Sequence, residues 1–112
     1  MAYYVEAESK LLREKFEAIV LGWEGVTKKT LFGSPSYAAG SVNFAMLVTG
    51  GIVLTRLDEE QRDRLLEDPN AGYFAAHGRI MKRWVRISIG DVSEIERYLP
   101  WITASYAAAR GE

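Results

Sequence analysis

The 112 residues predict an α+β fold of two layers, with helices packed on one antiparallel sheet in the order α-β-β-β-α-β-β-α. Three observations carry that prediction. Apolar stripes of helical period open and close the chain. Between Lys29 and Arg56 lie 26 residues, Thr30 to Thr55, without a charge, and they are rich in β-branched and apolar types. Glycines and prolines divide the middle of the chain into runs of strand length.

The first helix rests on Leu12, Phe16, Ile19, Val20 and Trp23, which share one helical face. Gly22 and Gly25 end it near Trp23. Lys29–Phe32 and Ser36–Ala39 read as one strand interrupted at Gly33-Ser34-Pro35, since proline cannot donate to a ladder. Val42–Val48 and Ile52–Arg56 complete a three-stranded meander. Gly50-Gly51 between them permits the positive φ of a primed hairpin turn.

Asp58-x-x-Gln61 is a variant capping box that opens the second helix, with Leu57, Leu65 and Leu66 facing the sheet, and Pro69 stops it. Tyr73–Ala75, a His77-Gly78 turn and a strand from Arg79 to Ile89 follow. A positive φ accounts for a histidine in that turn. The last helix begins at Asp91 or Ser93 and buries Ile95, Leu99, Ile102, Tyr106 and Ala109. Pro100 kinks or breaks it one turn in.

The length fits a single domain over residues 1–112. The absence of cysteine excludes disulfides, thiolate zinc sites and a cysteine nucleophile, and one histidine excludes multi-histidine metal sites. Phosphate-loop, dinucleotide, nucleophile-elbow and metalloprotease motifs are missing. The sequence therefore predicts a protein that is not an enzyme and holds no metal or cofactor. The acidic run Asp58, Glu59, Asp63 and Glu67 is explained by helix capping and by Arg62 and Arg64 rather than by a cation. The uncharged stretch is broken by glycine, serine, proline and asparagine, so it predicts buried strands and no membrane span. Charged residues fill the N-terminus where a signal peptide would be apolar, and the expected location is the cytoplasm.

A net charge of −1 conceals an uneven distribution. Residues 1–78 carry eight Lys/Arg against eleven Asp/Glu, whereas residues 79–112 carry six against four. Arg79, Lys82, Arg83 and Arg86 lie within eight residues with no acid among them. Strand alternation puts Lys82, Trp84, Arg86 and Ser88 on one face. It puts Arg79, Met81, Arg83, Val85, Ile87 and Ile89 on the other, the core face, with Arg79 and Arg83 near its end or rim. Trp84 would then lie between two cations. One reading is a surface for nucleic acid, with Arg79, Lys82, Arg83 and Arg86 on phosphates and Trp84 on a base. The other is a solvated strand face that discourages edge pairing.

From Tyr98 to Ala109 the final helix carries no charge over 12 residues. Either both of its sides are buried within the chain, or one side meets a second copy. Tyr98, Trp101, Ala104 and Ala108 are the expected contacts of such a homodimer.

Three segments carry a family resemblance. Leu31-Phe32-Gly33, then Tyr37-Ala38, a turn and Phe44-Ala45-Met46, resembles the M-F-G-G…turn…M-F-A pattern of the TfoX N-terminal-domain-like proteins (TfoX/Sxy family). Val53–Asp58 is similar to that family's L-V-R-V-D strand, and Gly78–Ile87 to its G-R-P-M-K-G-W-L-R-V segment. Leu31, Ser34, Ile80 and Arg83 depart from these patterns. The resemblance covers nearly the whole chain and implies an α+β domain, here a stand-alone one. It further implies a non-catalytic regulatory or interaction module, since the namesake proteins regulate natural competence. A protein partner or a nucleic acid would meet it on the strand around residues 79–86.

Overall fold

The structure, a computed structural model, describes residues 3–112. Helix α1 (Glu6–Val20) leads into a meander of β1 (Val26–Leu31), β2 (Ser34–Ala39), β3 (Val42–Val48) and β4 (Gly51–Leu54). Helix α2 (Glu59–Leu65), the hairpin β5 (Ala71–Ala76) and β6 (Arg79–Ser88), a 3-10 turn (Val92–Tyr98) and α3 (Leu99–Ala109) complete the chain. The six strands form one antiparallel sheet ordered β1-β2-β3-β4-β6-β5. The fold class and the succession of helix, meander, helix, hairpin and helix are those the sequence predicts.

Several boundaries differ for identifiable reasons. The interruption before Ser36 is a full chain reversal, because Phe32 and Gly33 both take positive φ, so the meander has four strands. Pro35 follows that turn, and the β3 ladder begins only at Ser36, so its missing N–H breaks no pairing there. The reversal between β3 and β4 lies at Thr49-Gly50 rather than Gly50-Gly51. Gly51 belongs to β4, where a Cβ would stand 2.9 Å from the Ile87 carbonyl oxygen. Helix α1 ends before Trp23, yet that ring still packs against Phe44 and Tyr106. The helical geometry changes from 3-10 to α just before Pro100, which occupies the first turn of α3.

Strand alternation sorts the sheet into two faces. Ala45 and Leu47, Ile52 and Leu54, and Val85 and Ile87 point toward the helices. They are buried with Leu12, Phe16, Val20, Leu65, Ile95 and Ile102. Three polar anchors fix this layer. The fully buried Tyr37 donates from Oη to Glu17 Oε2 at 2.6 Å, and Lys28 Nζ pairs with the same oxygen at 2.7 Å. Burial alone would raise the Glu17 pKa, but the hydrogen bonds from Lys28 and Tyr37 outweigh it and hold it below the ordinary value. Ser105 Oγ donates to the Phe44 carbonyl at 2.7 Å and accepts from the Arg56 N–H at 3.1 Å, tying α3 to the sheet. Asp58 caps α2 through the reciprocal box with Gln61.

No helix of the described residues lies over the opposite face, yet Met46, Val48 and Val53 are buried there as well. Phe74 and Ala76 of β5 join them, with Met81 and Trp84 of β6, Leu31 and Tyr3 packed around. Phe32, from the turn between β1 and β2, touches Trp84 and His77 of the β5–β6 hairpin at ring-centroid distances of 6.1 and 5.3 Å. These two hairpins belong to opposite ends of the strand order, so the sheet curls until they meet. Among the described residues no helix is long and apolar enough to cross a membrane.

Candidate functional site

The β5–β6 hairpin closes through His77 and Gly78, whose φ values of +53° and +75° form a two-residue primed turn. Its ladder slips further along. Tyr73 pairs with Val85 and Phe74 with Met81, leaving Lys82, Arg83 and Trp84 without a partner on β5. Pairing with β4 starts only at Val85, so the three residues form a bulge.

That bulge overturns the facial assignment made from simple alternation. Met81 and Arg83 do not share the core face with Val85. Met81 turns to the second cluster alongside Trp84, and Arg83 is exposed. Trp84 does not stand free between cations either. It is half-buried, stacked on Phe74 at 6.0 Å with an interplanar angle of 22°. Arg79, Lys82 and Arg86 are exposed, and Arg86 Nη2 donates to the Thr49 carbonyl at 3.2 Å. Among the described residues none of the four cations forms an ion pair. Among the same residues Arg13, Lys15, Lys28, Arg64, Arg97 and Arg110 meet carboxylates, whereas Lys10, Lys29, Arg56 and Arg62, scattered along the chain, do not.

Sequence reasoning missed the aromatic junction beside this patch. Tyr3 lies across it, with ring centroids 6.1 Å from Phe32, 5.7 Å from Phe74 and 6.0 Å from His77. Its Oη accepts from the His77 N–H at 2.9 Å, and its carbonyl accepts from the Thr49 N–H at 2.9 Å. Phe32 holds a φ of +55°, in a region that costs a non-glycine residue about 1–2 kcal/mol. The Phe-Gly dipeptide between two apolar runs was the available signal, but phenylalanine is rare at such a position. A groove of about 330 Å³ opens next to the junction, lined by Tyr3, Thr49, Tyr73, Phe74 and Arg86 among others.

The expected dimer contacts divide. Tyr98 is not on an outer face, being 1% exposed in the core, where Oη donates to Asp68 Oδ2 at 3.1 Å and accepts from Asn70 Nδ2 at 3.3 Å. Its predicted contact role is thereby corrected, because the 3-10 turn before Pro100 aims it into the core, at the connection between α2 and β5. Trp101, Ala104 and Ala108 are half-buried on α3, and Trp101 and Ala104 line a groove against α2. Among the described residues no three metal-ligating side chains come together. The chain matches no protein-family model, no curated protein and no solved structure.

Proposed function

We propose that this chain is a non-catalytic interaction module that binds a polyanionic partner through the β5–β6 hairpin. One observation carries the reading. Arg79, Lys82, Arg83 and Arg86 sit exposed within eight residues of one strand, without a carboxylate partner among the described residues, on a protein whose net charge is −1. An exposed cation without a partner is free to displace counterions from a phosphate chain. The resemblance to the TfoX N-terminal-domain-like proteins supports a regulatory setting for it, in the cytoplasm.

Fluorescence anisotropy with labelled polyanions across a salt series tests the reading. Four phosphate contacts give a log–log salt slope of about −3 for a single strand, and Lys82→Ala/Arg83→Ala should reduce it by about half. Binding that is flat with salt, or unaffected by the double substitution, sinks the proposal.

A second contact, between copies, rests on α3. Trp101, Ala104 and Ala108 keep part of an uncharged helix face at the surface, although the charged residues of α2 rim the groove beside it. Sedimentation equilibrium at high micromolar concentration should show a dimer that Trp101→Ala weakens. A monomer throughout would remove it.

A further inference from the structure

Resting on the polyanion reading, we infer that the partner is a single-stranded nucleic acid. Its bases stack on the exposed rings of Phe32 and Tyr73, on either side of Tyr3, while the cations of β6 hold its phosphates. Four independent features converge on this place. First, two primed turns from opposite ends of the sheet each spend a non-glycine residue on positive φ, Phe32 and His77, and bring those rings to 5.3 Å. Histidine is among the residues that accept such a φ, but at Phe32 glycine, asparagine or aspartate would form the turn without strain. Strained backbone of this kind collects where a side chain is needed at a fixed position. Second, Phe32 remains 38% exposed after that expense, so its ring is displayed rather than sealed into the core. Third, the groove on the other side of Tyr3 pairs that ring and the exposed ring of Tyr73 with Arg86, which suits a flat base joined to a phosphate. Fourth, the bulge leaves Lys82 and Arg83 exposed on the strand that carries Trp84, the ring that Phe32 touches, and Arg86 of the same strand lines the groove with Tyr3 and Tyr73.

A duplex fits this arrangement poorly, because its base faces are stacked on each other and unavailable to rings. Base-free polyanions would use the cations alone. The two binding terms are therefore separable.

The decisive variant is Phe32→Asn. Asparagine followed by Gly33 is the preferred composition of a primed turn, so the exchange removes the ring while relieving the backbone. Tyr73→Ala, which truncates a ring already 49% exposed at the groove, is the second variant. The experiment measures anisotropy of a labelled twelve-nucleotide oligo(dT), competed by inorganic polyphosphate and by duplex DNA, with thermal melts of each variant. The inference expects Phe32→Asn to weaken oligo(dT) binding about tenfold or more, the lower range for loss of one stacked base. Polyphosphate binding and the melting temperature should change little. Equal binding of oligo(dT) and polyphosphate, with neither affected by Phe32→Asn or Tyr73→Ala, overturns the stacking inference and leaves the polyanion reading standing. Failure of all three ligands to bind overturns both. Preferential capture of duplex overturns the single-strand assignment.

Discussion

Truncating Trp84 to alanine measures whether the β5–β6 hairpin is folded onto the second face of the sheet. The ring is half-buried, stacks on Phe74 and tilts against Phe32 at 6.1 Å, above Met46, Val48 and Val53. A half-covered tryptophan loses roughly 120 Å² of buried apolar surface on truncation, about 3 kcal/mol at about 25 cal/mol/Å². The aromatic stack adds about 0.5–1.5 kcal/mol. Water and neighbouring side chains can partly fill a site open at its rim, which offsets some of that. The net expectation is about 3 kcal/mol. With an m-value of about 1.5 kcal/mol/M, urea unfolding followed by far-ultraviolet circular dichroism should shift its midpoint down by about 2 M at unchanged slope. Lys82→Ala, two residues away and exposed, should stay within about 0.5 kcal/mol and serves as the control. A Trp84→Ala loss below about 1 kcal/mol would mean that the ring faces solvent. The hairpin would then not cover Met46, and the account of the second face would be refuted.

Three further outcomes follow from buried polar groups. Ser36 is fully buried and its Oγ has no hydrogen-bond partner among the described residues, so Ser36→Ala should stabilise by about 1 kcal/mol and raise the melting temperature by a few degrees; a comparable loss would show that the hydroxyl is partnered. Ser105→Ala leaves the Arg56 N–H without its acceptor and should cost about 2 kcal/mol in urea unfolding, with a neutral result refuting the role given to this link. Glu17 has its folded pKa depressed from 4.5, so the stabilisation it provides is complete above that value and is lost as pH falls through the folded pKa. Glu17→Gln should therefore flatten the fall in urea midpoint as the pH drops below 4.5, and an unchanged profile would assign acid sensitivity to other carboxylates.

Much of the fold is written locally. The box of Asp58 and Gln61, the turn at His77-Gly78 and the span of β6 follow from short-range chemistry, and each is present where that chemistry puts it. The features that escaped sequence reasoning are those in which tertiary contact overrides a local rule. A phenylalanine at positive φ contradicts turn propensity, so the reversal at Phe32-Gly33 looked like a blemish in one strand. Alternation along β6 presumes an unbroken ladder, and the bulge breaks it. The apolar run of β3 revealed that both faces are buried, but nothing local said what would cover the second one. Tyr98 was misplaced for a related reason: the 3-10 turn changes the angular step between residues, so a stripe drawn at α-helical period drifts off the core.

The bulge in β6 links the covered face to the exposed cations. In a regular strand, Met81 and Arg83 would point to the side of Val85 while Trp84 pointed away. The helix-side core would then receive a guanidinium lacking a carboxylate, which is costly, and the second face would lose Met81. Slipping the ladder between Tyr73 and Phe74 removes both conflicts. Met81 and Trp84, three residues apart, come to the same side and bury Phe74, while Lys82 and Arg83 between them are released to solvent. The strand thus closes an apolar surface only by displaying its charges. A uniformly apolar replacement at 82 and 83 would remove the reason for the bulge, so the display of Lys82 and Arg83 and the covering of the second face are consequences of the same four residues, Met81 to Trp84.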